Sequence, residues 1–379
     1  MIYHILPEWE PFSAFRGGAV SHIVASIMQL DSSNAVVCAA ADETWGFGPD
    51  RVLALPPLLR YRKIRGRHFL PIAVHRPLLR RIFKPLVEKL DRGDIVWCHG
   101  QPTFCASLAQ SIQSRGAKLV YHAHSSLAPW YVRSKLRRSA ADAHIFVSEA
   151  LQREAIQCLP QLSNTHFIHN GVDPDRFYPL AAGEKRRDDA VPIILFVGRL
   201  IPEKGVHFLI RAVEILRERG IEAHCRVVGS SFAGGGKVTP YVKMLRRSSP
   251  SNVSFEGFRA HTEIVSEYRQ ADIVCCPSVS QDPFPGVPLE AMACGVPVVA
   301  TRVGGIPEIA VDGGVLLVEP KSALQLADAL QKLIEAKDFR VRVAADGLGS
   351  FQRHFTLAKS YGRYREIANV LMHTDGSAL

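Results

Sequence analysis

The sequence predicts an α/β protein of two doubly wound domains, and three observations carry that prediction. Short apolar runs alternate with helix-period stretches along the chain, and such alternation builds parallel sheets with helices on both faces. At 379 residues the chain is long enough for two separate cores. A polar segment, Ala181-Ala182-Gly183-Glu184-Lys185-Arg186-Arg187-Asp188-Asp189, divides the apolar runs into two sets.

The first set of expected strands is Ile2–Leu6, Ala35–Ala39, Ile95–Cys98, Lys118–His122, Ala143–Val147 and Thr165–Ile168. The second is Ile193–Val197, His224–Val228, Val253–Phe255, Ile273–Cys276, Val298–Ala300 and Gly314–Val318. These runs are short and rich in Val and Ile, the residues that fit a pleated, buried surface. Helical periodicity fills the gaps, as in Val20–Leu30, Val206–Arg219 and Ala323–Glu335. The junction is expected near residues 179–191. Residues 1–180 then form one domain and 190–355 the other, and a last helix in 356–379 crosses back to the first. In open α/β sheets, ligands bind beyond the carboxyl ends of the strands. Two such domains facing each other would make a central cleft.

Hydrophobic residues are 47% of the chain and charged residues 22%, as in soluble globular proteins. The start, Met1-Ile2-Tyr3-His4-Ile5-Leu6-Pro7-Glu8, has no basic region followed by an apolar run, so no signal peptide is expected. No apolar run approaches the roughly 18 residues of a transmembrane helix. The eight cysteines are scattered through hydrophobic segments without a CxxC pair. Reduced, buried cysteines in a cytoplasmic protein are expected.

The net charge of +10 is local. Residues 60–92 hold eleven Lys/Arg and two acids, and the remainder of the chain holds 35 basic and 34 acidic residues. Apolar residues, among them Leu78, Leu79, Ile82, Phe83 and Leu86, are interleaved with the basic ones. Two readings stand: an anionic membrane surface as partner, or a solvated loop and helix face. Nucleic acid is not expected, because aromatic platforms and a reader motif are missing.

The stretch Asp282-Pro283-Phe284-Pro285-Gly286-Val287-Pro288-Leu289-Glu290-Ala291-Met292-Ala293-Cys294-Gly295 is the most informative in the chain. Two carboxylates stand eight positions apart with three prolines, a glycine and no other charge between them. The prolines hold a rigid loop, and Pro288 suits a first helical turn. The helix start offers unpaired N–H groups to a phosphate. Asp282 in the loop and Glu290 in the first turn could hold hydroxyl groups on either side of it. Gly198-Arg199-Leu200-Ile201-Pro202-Glu203-Lys204-Gly205 follows a strongly apolar strand and precedes a helix. Arg199 supplies a planar fork for phosphate oxygens and Lys204 a compact charge.

Weaker signals follow. Gly17-Gly18 after the first strand lets backbone approach a ligand, or merely makes a tight turn. It is not a dinucleotide fingerprint. Gly229–Lys237 resembles a P-loop but fails at Ser231 and Val238, and reads as a flexible loop. His122-Ala123-His124 ends a strand with both imidazoles on one face. A metal site would need His99 as well; one functional histidine, or a structural pair, are the other readings. Asn170-Gly171-Val172-Asp173 and Arg176-Phe177 form a turn-rich segment. Without a Gly-x-Ser-x-Gly elbow, a serine hydrolase is unsupported.

Together these segments resemble the retaining glycosyltransferases of family 4, in the glycogen-synthase-like superfamily. Matching segments are Arg16-Gly17-Gly18-Ala19, Tyr121-His122-Ala123-His124, Asn170–Asp173 with Arg176-Phe177, Gly198-Arg199-Leu200 with Glu203-Lys204-Gly205, Phe284-Pro285 through Glu290–Val299, and Gly304-Gly305-Ile306-Pro307-Glu308. Their order along nearly the whole chain is more specific than any one motif. The resemblance implies a GT-B fold, two Rossmann-like domains around a cleft. It also implies a nucleotide-diphosphate sugar as donor substrate, with UDP favoured over GDP-mannose from family prevalence, and no cofactor or metal.

By motif match, Gly198, Arg199 and Lys204 hold the diphosphate and Glu290 the ribose. Asp282 holds sugar hydroxyls, assisted by backbone N–H groups in the stretch Phe284, Pro285, Gly286 and Val287, in which Pro285 has none to offer. His124 lines the sugar site, and Gly17 and Gly18 lie near the diphosphate or acceptor. The family usually has Glu where this chain has Asp282, one methylene shorter. The acceptor would be a glycan or lipid-linked glycan, with peripheral attachment to the inner membrane face through residues 60–92. A GT-B epimerase or a non-catalytic nucleotide-sugar-binding protein is the rival reading.

Overall fold

A computed structural model describes residues 1–14, 18–55, 72–127, 133–134, 136–181, 191–231, 238–261 and 263–373. Gly17, residues 60–71 of the basic segment, most of the polar segment 181–189 and residues 232–237 of the glycine-rich loop lie outside the described residues. The chain forms two compact units: Met1–His169 with Ser360–Leu379, and Asn170–Lys359. The first unit therefore ends before the polar segment, and Asn170–Ala181 packs with the second.

Among the described residues the first unit holds seven strands: β1 (Ile2–Ile5), β2 (Asn34–Cys38), β3 (Val52–Ala54), β4 (Ile95–His99), β5 (Lys118–Ala123), β6 (Ala143–Phe146) and β7 (Thr165–Phe167). They form one sheet in the order β3-β2-β1-β4-β5-β6-β7, with every pairing parallel. The alternating pattern does not reveal β3, because its three residues at the sheet edge are too few to show a period. One face of the sheet packs Val20, Val24 and Met28 of the helix Ala19–Leu30 against Leu6 and Val36. Another cluster joins Trp97, Val120 and Ile145 to Tyr364, Ile367 and Leu371 of the helix Leu357–His373.

The second unit holds β8 (Ile193–Val197), β9 (His224–Val228), β10 (Val253–Gly257), β11 (Ile273–Cys276), β12 (Val298–Thr301) and β13 (Val315–Val318). Their order is β10-β9-β8-β11-β12-β13, again all parallel. The helix Val206–Glu218 presents Leu209, Val213 and Leu216 to this sheet, and the helix Ala323–Glu335 adds Leu326, Leu330 and Leu333. Both sheets are thus doubly wound. Strand order reverses between β1 and β4 in one and between β8 and β11 in the other, the switch points where open α/β sheets bind ligands.

Two expectations are corrected here. Seven cysteines are buried, but Cys158 is exposed, because it ends the helix Glu149–Cys158 on its solvent side. In the basic segment, Leu79, Ile82, Phe83 and Leu86 are at most 2% exposed. They belong to the interior rather than to a membrane-facing surface; Leu78, at 40%, stays outside. No helix among the described residues is long and apolar enough to cross a membrane.

Candidate functional site

The switch point of the second sheet collects the loops that follow β8 and β11. The first loop carries exposed Arg199 and then a short 3-10 turn, Pro202–Lys204. The second carries Ser278 and Asp282. Backbone ties them: the Val279 N–H donates to the Glu203 carbonyl at 2.9 Å. Gly205 has φ of 70°, and a Cβ there would stand 1.9 Å from the Pro277 carbonyl oxygen, so only glycine permits this approach.

The Lys204 Nζ donates to Asp282 Oδ2 at 2.5 Å, and the Ser278 hydroxyl donates to the same oxygen at 2.8 Å. Asp282 is 8% exposed. Gly304, with φ of 55°, backs this loop, since a Cβ would lie 2.1 Å from the Asp282 carbonyl oxygen. The next amide, Gly305 N–H, donates to that oxygen at 3.0 Å.

The helix after Asp282 runs Gly286–Ala293, with Pro285 as its N-cap and no side chain capping it. It starts four residues before Glu290, so Glu290 lies in the second turn, not the first as expected. Pro288 allows this because the third helical residue has no intrahelical N–H bond to lose. The early amides of Gly286 and Val287 belong to this helix start. Phe284 is buried, and its carbonyl accepts from Asn170 Nδ2 at 3.0 Å.

Glu290 is held from two sides. The Tyr268 hydroxyl donates to Oε2 at 2.5 Å, and His261 Nε2 meets Oε1 at 3.3 Å. Burial pushes this carboxyl up, but the bonds from His261 and Tyr268 and the charge of Arg176 outweigh it, so it is held below its ordinary value. The Phe177 ring packs edge-on against both His261 and Tyr268. The Asn170–Phe177 segment, a turn in the sequence, therefore braces the carboxylate and the Phe284 loop. Tyr268, His261 and Ser278 escaped sequence reasoning, and Asn170 was read only within a turn-rich matching segment, because no local pattern marks a residue whose partner lies in a distant loop.

In the first unit, Gly18 is the N-cap of the helix Ala19–Leu30. The Glu10 carboxylate already takes that helix's first amides: Ser21 N–H donates to its Oε1 at 2.6 Å, and Val20 and Gly18 also bond to it. Burial raises the Glu10 carboxyl above its ordinary value against these bonds. His122 and His124 do share a face, with ring centroids 4.1 Å apart. His99, His122 and His124 offer nitrogen atoms that lie within 4.8 Å of one another. His99 Nδ1 meets His124 Nε2 at 2.8 Å, His99 Nε2 meets His4 Nδ1 at 3.0 Å, and His4 Nε2 meets Asn34 Oδ1 at 3.0 Å. Trp97 Nε1 donates to His122 Nδ1 at 3.3 Å. Burial lowers all four imidazoles, His4 to about 4 and His99 and His122 well below the ordinary range.

A family profile described as glycosyl transferases group 1 matches residues 181–347, and one described as glycosyltransferase family 4 matches residues 16–176. Among curated proteins, the chain is similar to a D-inositol 3-phosphate glycosyltransferase of Corynebacterium jeikeium, 44% identical over 45% of this chain and 43% of that protein. The chain spans about half the length of the first curated relatives it matches. It is also similar to a GDP-mannose-dependent alpha-(1-6)-phosphatidylinositol monomannoside mannosyltransferase of Mycobacterium tuberculosis, 28% identical over 89% of this chain and 90% of that one. Among solved structures, Anabaena HepE in complex with UDP-glucose superposes with a TM-score of 0.75, at 22% identity over 98% of both chains. Two all-parallel sheets of seven and six strands are the GT-B architecture that this likeness supports.

Proposed function

Because the chain belongs to glycosyltransferase family 4, we propose that it moves a hexose from a nucleotide-diphosphate sugar to a glycan or lipid-linked acceptor, with retention of configuration and without a metal ion. The observation that carries this reading is the second unit's switch point. There Lys204 is paired with an anchored Asp282, exposed Arg199 stands in the same loop as Lys204, the start of Gly286–Ala293 has no side-chain cap, and Glu290 is anchored by Tyr268.

Breaking a sugar–phosphate bond leaves negative charge on the diphosphate. Arg199, Lys204 and the amides of Gly286 and Val287 stabilise that charge as it develops, in a frame that needs no reorganisation. Their cationic contribution removes the need for a metal. Glu290, fixed by Tyr268 and His261, accepts from the ribose hydroxyls. Asp282 keeps Lys204 in place through Oδ2 and offers Oδ1 to a hydroxyl of the donor sugar. His124 receives a sugar hydroxyl in the first unit. The acceptor attacks on the face the diphosphate leaves, and a diphosphate oxygen takes the acceptor's proton.

A UDP-sugar is the favoured donor. GDP-mannose is the alternative, supported by the mannosyltransferase relative that matches along nearly the whole chain. Thermal shift with UDP, GDP, ADP and their sugars tests both. A ligand at 100 times its Kd stabilises by about 2.7 kcal/mol, and the sugar-bearing form of one base is expected to stand out. No shift with any nucleotide would overturn the reading. Product NMR at the new anomeric centre tests retention, and unchanged turnover in EDTA tests metal independence.

The remaining basic face of residues 72–92 supports an electrostatic contact with anionic membrane. Arg81, Lys84 and Lys89 are exposed there, while the apolar side chains beneath are committed to the core. Binding to vesicles is expected to need anionic lipid and to weaken with salt. Equal binding to neutral vesicles would rule this contact out.

A further inference from the structure

We propose that Asn34, His4 and His99 form a tautomer-setting chain that fixes His124 as a hydrogen-bond acceptor at Nδ1, the form that receives a sugar hydroxyl. The inference rests on the transferase reading for its ligand, and on hydrogen-bond bookkeeping for the tautomer itself. The chain starts at a group that cannot change role. The Asp31 backbone carbonyl can only accept, and Asn34 Nδ2 donates to it at 3.3 Å. Asn34 Nδ2 also reaches the Tyr361 oxygen at 3.4 Å, while the Tyr361 hydroxyl donates to the Asp31 carboxylate. Both contacts fix the orientation of the Asn34 amide, which coordinates alone rarely decide.

Asn34 Oδ1 must then face His4 and accept from Nε2–H at 3.0 Å. A neutral imidazole carries one proton, so His4 Nδ1 is an acceptor. Its partner at 3.0 Å, His99 Nε2, must donate. His99 Nδ1 is therefore an acceptor in turn, and His124 Nε2 donates to it at 2.8 Å. This leaves Nδ1 as the unprotonated nitrogen of His124. The two links from Asn34 to His99 are buried, Asn34 and His4 being 1% exposed and His99 0%, and the last, to His124, is part-buried. Water does not reach the first two.

The chain crosses four neighbouring strands, β2, β1, β4 and β5, in their order in the sheet. It can form because each step advances two residues on one face of the sheet: Asn34 pairs with Ile2, two before His4; His4 pairs with Trp97, two before His99; and His99 pairs with His122, two before His124, just past the end of β5. The same bookkeeping bears on the cluster of three histidines. A cation between His99 Nδ1 and His124 Nε2 would displace the proton that the chain places there. His124 as an acceptor selects hydroxyl and amine donors and disfavours a carboxylate or phosphate oxygen. Asn34, His4 and His99 are positioning residues that act through His124.

The test is the ring 15N spectrum of protein labelled at histidine, recorded near neutral pH without any nucleotide. His4, His99 and His124 are expected as neutral rings protonated at Nε2. A proton on Nδ1 of His124, or a charged His124 ring, would overturn the proposal. Asn34→Leu removes the fixed end of the chain far from His124. Its His124 signals are expected to move toward a mixture of tautomers, and transfer kcat to fall about tenfold, the equivalent of one hydrogen bond, with donor KM within about twofold. An unchanged His124 spectrum in a folded Asn34→Leu protein would also overturn it. If that variant does not fold, the wild-type spectrum alone decides. Absence of any sugar transfer beside the expected wild-type spectrum would instead count against the transferase reading.

Discussion

Acid should destabilise the first unit from about pH 6.5 downward, because its core holds neutral imidazoles. His4, His99 and His122 are at most 1% exposed, and burial lowers each of them. The native state therefore binds fewer protons than the unfolded chain, whose imidazoles titrate near 6.5. Stability from these groups is complete above pH 6.5 and declines as pH falls below it; for His4 the decline ends near pH 4. At pH 5 an unfolded imidazole lies 1.5 pH units below its pKa. For His4, kept neutral in the fold at that pH, this costs about 2 kcal/mol, and His99 and His122, lowered in the same direction by burial, add to it. A domain's whole stability is typically about 5–15 kcal/mol, so the effect is large. All four tryptophans, Trp9, Trp45, Trp97 and Trp130, lie in the first unit's sequence. Urea unfolding followed by tryptophan fluorescence therefore reports this unit. A loss of at least about 2 kcal/mol between pH 8 and pH 5 is expected. A change below about 1 kcal/mol would refute the reasoning, since it would mean that these imidazoles are protonated in the fold at no cost.

The other expectations concern the second unit. Lys204→Ala and Arg199→Ala should each lower sugar transfer by roughly 10²-fold, as loss of a charge-stabilising donor does; near-normal turnover by both would defeat the site assignment. Tyr268→Phe removes one donor to Glu290. A bond to a charged group is worth about 1.5–3 kcal/mol, so nucleotide affinity by calorimetry should fall about tenfold or more. Gly304→Ala puts a Cβ 2.1 Å from the Asp282 carbonyl oxygen at φ of 55°, and should cost well over the ~1 kcal/mol expected of Gly220→Ala. Gly220 has φ of 75° but open space around its Cβ position, so equal melting temperatures for the two variants would show that the approach to Asp282 imposes no strain.

Much of the fold was legible because buried parallel strands are written as apolar runs. Ile193–Val197, His224–Val228 and Ile273–Cys276 have the bounds read from the sequence, and Ala323–Glu335 shows its helical period directly. Val52–Ala54 was not legible, because three edge residues carry no period. The boundary between units was misleading for a related reason. Polarity marks where a chain meets water, whereas Asn170–Phe177 belongs to the second unit through its contacts with Phe284, His261 and Tyr268.

At the candidate site, the residue types and their spacing from Gly198 to Gly205 and from Asp282 to Gly295 were enough to name Arg199, Lys204, Asp282 and Glu290. A proline-rich loop and a helix start are local features, and local features are written in consecutive residues. What braces those groups is not local. Lys204 meets Asp282 across 78 positions, Glu290 meets Tyr268 across 22, and His4 meets His99 across 95. Such pairs depend on strand order and register, which place β8 beside β11 and β1 beside β4. The sequence by itself determined which groups could bear charge and donate. Only the tertiary structure decided which proton, and which oxygen, each of them has left to offer, because that depends on the partner already bonded to its other side.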